Sequence, residues 1–80
     1  MSNALTGALT RERIRNDIAE VLEIPVADVD DTANLLDEGL DSVRVMTLLE
    51  RWRESGAQVD LVDLISDPTV DAWADILDVN

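Results

Sequence analysis

Apolar residues recur three and four positions apart in four short runs, and between the runs stand residues that helices do not tolerate: Pro25, Gly56 and Pro68. The chain therefore cannot form one long helix. In the first run Ile14, Ile18, Val21 and Leu22 share a face, Thr10 is a natural N-cap and Glu12 meets the positive end of the helix dipole. This helix must stop near Glu23, because Pro25 lacks a backbone N–H and drives Ile24 out of the α region. A second helix is expected over Ser42 to Glu54, with Asp41 as N-cap and Val45, Leu48, Leu49 and Trp52 as its apolar stripe. After Gly56, the residues Leu61, Val62, Leu64 and Ile65 suggest a short third helix ended by Asp67-Pro68. The last helix opens at Thr69, carries Asp71 in its first turn, and lines Val70, Trp73, Ile76 and Leu77 along one face. No strand pattern, repeat or low-complexity segment interrupts this order, so the expected fold is all-α, three main helices and a short third.

The connection from Ile24 to Asp41 is long for a domain of 80 residues. Connections beyond about 12 residues are usually functional or disordered. Here Val26, Val29, Leu35 and Leu36 are spaced as anchors among the acidic residues, which argues for an ordered crossing in which the Leu35-Leu36 pair packs inward.

A chain this short buries roughly 60% of the surface it exposes when unfolded, so its core must be simple and single. With 46% hydrophobic and 30% charged residues it is too apolar for a disordered acidic tail, and no apolar run is long enough to span a bilayer. Cysteine and histidine are absent, which removes disulfides, thiol nucleophiles, imidazole bases and the usual zinc ligands together. The net charge of −12, with six arginines and no lysine, disfavours nucleic acid and anionic membrane and points to protein partners with basic faces. The start lacks the basic and apolar regions of a secretory signal, so a cytoplasmic protein is expected, and small size and charge favour a monomer; residues 1–9 read as a flexible N-terminus in which Ser2-Asn3-Ala4 is a cloning remnant, and residues 10–78 as the folded domain.

The informative stretch is Gly39-Leu40-Asp41-Ser42-Val43-Arg44. Its serine opens a helix, where unpaired backbone N–H groups and the dipole favour an anion such as an attached phosphodiester. An Asp-Ser pair before a helix is most often only a cap. Catalysis by Ser42 is disfavoured, because no histidine or lysine is available as base and the flanking Leu40 and Arg44 exclude a Gly-x-Ser-x-Gly elbow. Calcium is disfavoured by register: counting Asp28 as the first position of an EF-hand loop puts Ala33 at the turn glycine and Gly39 at the bidentate glutamate. A small bundle also offers little cleft in which two carboxyls could hold separate pKa values.

The segment resembles phosphopantetheine-dependent carrier proteins, whose modified serine follows an aspartate at the start of the second helix. Asp41-Ser42-Val43 departs slightly from the Asp-Ser-Leu of acyl carriers and from the Gly-His that precedes the serine in many peptidyl carriers. It is more similar to the aryl carriers of nonribosomal siderophore synthesis, through Gly39 to Arg44, then Arg51-Trp52-Arg53, then Pro68-Thr69-Val70-Asp71-Ala72-Trp73. The similarity runs from about Leu35 to Leu77.

The resemblance implies a four-helix carrier that receives 4'-phosphopantetheine on Ser42 from coenzyme A through a separate phosphopantetheinyl transferase. An aryl acid adenylating enzyme would then load the thiol, and a condensation domain would take the cargo. Such a carrier is not an enzyme: the thiol comes from the cofactor and the catalytic groups from the partners. Asp41 and Arg44 would flank the phosphate. Val43, Met46, Leu61 and Ile65 would form a docking patch, Val43 and Met46 because they lie off the core stripe, Leu61 and Ile65 by correspondence with partner-facing positions of aryl carriers. Trp52 and Trp73 fall on core stripes and are expected to be buried. The alternatives are a peptidyl or acyl carrier of another pathway, or a helical interaction module in which Ser42 only caps.

Overall fold

The structure, a computed structural model, describes residues 9–79. Most of the expected flexible N-terminus thus lies outside the described residues; Leu9, the described part of it, packs against the core. Four helices appear in order: α1 (Arg11–Leu22), α2 (Ser42–Glu54), α3 (Leu61–Ser66) and α4 (Val70–Ile76), with a single 3-10 turn at Val26–Asp28. No strand occurs among the described residues, and no helix is long and apolar enough to cross a membrane.

Local chemistry explains both ends of α1 and α2 and the start of α4. Thr10, Asp41 and Thr69 each adopt an extended backbone and accept a hydrogen bond from the N–H three residues on, of Arg13, Arg44 and Ala72 respectively. At the other end of α1, Glu23 turns left-handed with φ 60°, its N–H donating to the Ala19 and Glu20 carbonyls, just before Pro25 forbids continuation. Gly56, with φ +101°, turns the chain after α2.

The core is formed by the faces the helices share. Ile14, Ile18 and Ala19 from α1 meet Val45, Leu48, Leu49 and Trp52 from α2, Leu64 from α3, and Val70 and Trp73 from α4. The two indoles sit edge to face, ring centres 5.7 Å apart at 71°, a geometry that contributes about 0.5–1.5 kcal/mol beyond burial. Leu22 at the end of α1 lies beside Gly39 ahead of α2, while Asp17 in mid-α1 meets Trp52 near the far end of α2. The two helices therefore run in opposite senses.

The long connection is ordered, as the spacing of its anchors implies, but only half of them anchor it. Val29 and Leu35 are buried, whereas Val26 and Leu36 are exposed. The Leu35-Leu36 pair divides because the Asn34 side chain accepts from the N–H groups of Leu36 and Asp37, a tight turn in which adjacent side chains cannot both face inward. Backbone bonds fix the crossing to the start of α4: Leu35 N–H to the Pro68 carbonyl at 2.7 Å and Asp71 N–H to the Asp31 carbonyl at 3.0 Å. Arg11 bridges Asp31 and Asp71. Arg15 donates to the carbonyls of Val26 and Val29 and stands 2.9 Å from Asp31 Oδ1, an ion pair without hydrogen-bond alignment. Ile76, expected on the inner face of α4, is exposed in the last turn of that helix.

Candidate functional site

Ser42 is the first residue of α2, and its position follows from Asp41. The Asp41 carboxylate accepts from Arg44 N–H at 2.9 Å and its carbonyl from Val45 N–H at 2.9 Å, which starts the helix and leaves the Ser42 and Val43 N–H groups without acceptors among the described residues. Ser42 is exposed, and its hydroxyl makes no hydrogen bond among the described residues. A phosphodiester on that oxygen would face the positive end of a 13-residue helix and two unused donors. Gly39, three residues earlier, holds φ +113°, a conformation that side-chain-bearing residues resist, and so sets the path into the helix.

Arg44 is the cation of this corner. Five of the six arginines are committed to carboxylates: Arg11, Arg13 and Arg15 from α1, Arg51 and Arg53 from α2. Arg44 has no carboxylate partner among the described residues, so it is available to a phosphate or to an acidic partner.

The apolar candidates divide by exposure. Val43 is 71% exposed and Met46 46%, one turn apart on the side of α2 that faces away from Val45, Leu48 and Leu49. Ile65 on α3 is also exposed. Leu61 differs: it is half-buried and packed against the core, because it lies on the same face of α3 as the fully buried Leu64. Val62, 67% exposed, takes the outward place instead. The sequence contained that signal, since setting the phase of α3 by Leu64 puts positions 62 and 65 together on the opposite face. α2 and α3 pack against each other. Among the described residues there is no pocket and no group of three or more potential metal-binding side chains.

Comparison with known proteins gives this geometry its context. The family model described as "Phosphopantetheine attachment site" matches residues 12–77. The chain is similar to an acyl carrier protein, ScoB, of Streptomyces coeruleorubidus, 44% identical over 69 residues that cover 86% of this chain and 81% of ScoB. It is similar to an isochorismatase of Bacillus subtilis, 50% identical over 68 residues, 85% of this chain and 22% of that protein. Likewise, phenyloxazoline synthase MbtB of Mycolicibacterium paratuberculosis is 46% identical over 66 residues, 82% of this chain and 6% of the synthase. The chain thus spans about a fifth of the isochorismatase and a small fraction of the synthase. Match and fold agree: the chain belongs to the phosphopantetheine attachment site family, carrier domains that bear 4'-phosphopantetheine covalently on a serine.

Proposed function

We propose that Ser42 is the serine that bears the cofactor and that the chain is an aryl carrier. One observation supports the serine above all. The matched residues contain three serines, and the other two stand at helix C-termini with their hydroxyls engaged: Ser55 Oγ donates to the Arg51 carbonyl and Ser66 Oγ to the Val62 carbonyl at 2.6 Å. A phosphodiester there would meet the negative end of a dipole. Ser42 offers a free, exposed hydroxyl at a positive end.

When bound, the group supplies a thiol on a long flexible arm, which holds the cargo as a thioester. The chain's own residues present it. Asp41 fixes the helix start, Arg44 pairs with the phosphate, and Val43, Met46 and Ile65, with Leu61 beneath them, form an apolar docking face within an acidic surface. This role requires no catalytic group of the chain, so we read it as a non-enzyme served by a phosphopantetheinyl transferase, an aryl acid adenylating enzyme and a condensation domain. The compartment that this chemistry implies is the cytoplasm, which holds coenzyme A.

The aryl reading draws support from similarity to an isochorismatase and a phenyloxazoline synthase. A second reading, an acyl carrier of another pathway, draws support from similarity to ScoB over most of the length of both proteins. Loading decides between them. The holo protein is offered separately to enzymes that adenylate salicylate, 2,3-dihydroxybenzoate, amino acids and fatty acids, and thioester formation is read by intact mass. The aryl reading expects an aryl thioester; efficient loading by amino or fatty acids with none by aryl acids contradicts it.

A further inference from the structure

Helix α3 is six residues long, too short to hold itself together, since isolated helices below about 12 residues are marginal in water. Only Leu64 of its side chains is fully buried, yet the helix presents Val62 and Ile65 in a defined pose. Two side chains of neighbouring helices bind it near its two ends.

At the N-terminal end, Arg53 of α2 donates from Nε to the Val59 carbonyl at 3.1 Å and from Nη2 to Asp60 Oδ1 at 3.0 Å. Asp60 is the N-cap of α3, and its N–H in turn donates to Asp63 Oδ2. One planar guanidinium thus grips both the loop and the cap, a two-point hold that an ammonium cannot reproduce.

The C-terminal end carries a local defect. The Leu64 carbonyl is among the last four of α3, which have no partner within the helix, and the chain beyond offers no N–H at residue 68, which is proline. The buried indole Nε1 of Trp73, in α4, donates to that carbonyl at 2.8 Å. Trp73 therefore replaces the missing backbone donor and ties the end of α3 to α4.

We propose that Arg53 and Trp73 are positioning residues that clamp α3 at its two ends and so set the presentation of Val62 and Ile65 to the phosphopantetheinyl transferase. The inference rests on the carrier reading of Ser42 and on α3 being part of the docking face. Neither residue would touch the cofactor or its cargo. Their effect is to keep a short helix in the orientation that a partner reads, so loosening either end should weaken docking without altering the transfer step once docked.

The test uses a broad-specificity phosphopantetheinyl transferase with coenzyme A as the probe, on the full chain. For Arg53→Ala the apparent KM for the carrier should rise about five-fold, the combined effect of losing two weak bonds made by a half-exposed guanidinium, with kcat unchanged. Arg53→Lys, which can hold one acceptor but not both, should fall between. Amide hydrogen exchange should speed up in α3 while α1 and α2 stay protected. Trp73→Phe should give the same KM effect; because it also opens space in the core, Arg53→Ala is the deciding variant. An Arg53→Ala protein with wild-type KM, or with a KM change and no change in α3 exchange, overturns the clamp. Failure of the wild-type chain to accept the cofactor at all overturns the carrier reading first, and the clamp's functional role with it.

Discussion

The indole N–H of Trp52 donates to Asp17 Oδ2 across 2.8 Å, joining the end of α2 to the middle of α1 through a carboxylate that is largely buried. The other oxygen of Asp17 receives Arg51 at 3.2 Å, and Arg13 approaches the Trp52-bound oxygen at 3.6 Å. Asp17→Ala would strip a buried indole of its acceptor and should destabilise the fold by about 1–3 kcal/mol. Asp17→Asn, which keeps an acceptor, should cost less. Glu20→Ala, which removes only the exposed partner of Arg51, should cost about 1 kcal/mol or less. Urea denaturation of the three variants checks that order.

Exposure on α2 and α3 separates docking from packing. Val62→Asp and Met46→Asp should leave stability within about 0.5 kcal/mol, since both side chains already lie in solvent. Leu61→Asp should destabilise by about 1–3 kcal/mol, because it forces a carboxylate against the core. Circular dichroism melts distinguish them, and transfer rates to partners should fall for Met46→Asp despite an intact fold.

Gly39 leads the chain into the serine-bearing helix at φ +113°. A methyl group there would find ordinary contact, 3.8 Å from Leu22 Cδ2, so the cost of Gly39→Ala is backbone strain rather than collision. About 1–2 kcal/mol of lost stability is expected by chemical denaturation.

Acid should act on the long connection through Asp30. Its carboxylate is held below the ordinary aspartate range chiefly by the Thr32 N–H, then by the Thr32 hydroxyl, with Ala33 N–H adding to them. A lowered folded-state pKa contributes stability that is present above the unfolded value, about 3.9, and lost as pH falls through the folded value. Thr32→Val should raise the Asp30 midpoint toward the ordinary value while the backbone bond remains. Titration of the Asp30 carboxyl carbon by NMR checks this; an unmoved midpoint contradicts it.

Helix starts were legible in the sequence because a cap is a local bond: Thr10, Asp41 and Thr69 each bind an N–H three residues away. So was the α2 stripe, where Val45, Leu48, Leu49 and Trp52 are all buried. Pro25 and Pro68 marked stops for the same local reason. The arginine clips were not legible, because Asp17 with Arg51 and Asp31 with Arg11 meet only once helices pack. The division of Leu35 from Leu36 depended on a turn centred on Asn34, and the outward face of α3 on a helical phase that six residues define weakly.

The central claim is that Ser42 bears the cofactor, and intact mass tests it most directly. The apo protein is incubated with coenzyme A, magnesium and a broad-specificity phosphopantetheinyl transferase, beside Ser42→Ala, Ser55→Ala and Ser66→Ala. The wild type and the last two should each gain one 4'-phosphopantetheinyl group, and Ser42→Ala none. No gain by the wild type, or an equal gain by Ser42→Ala, would contradict the account.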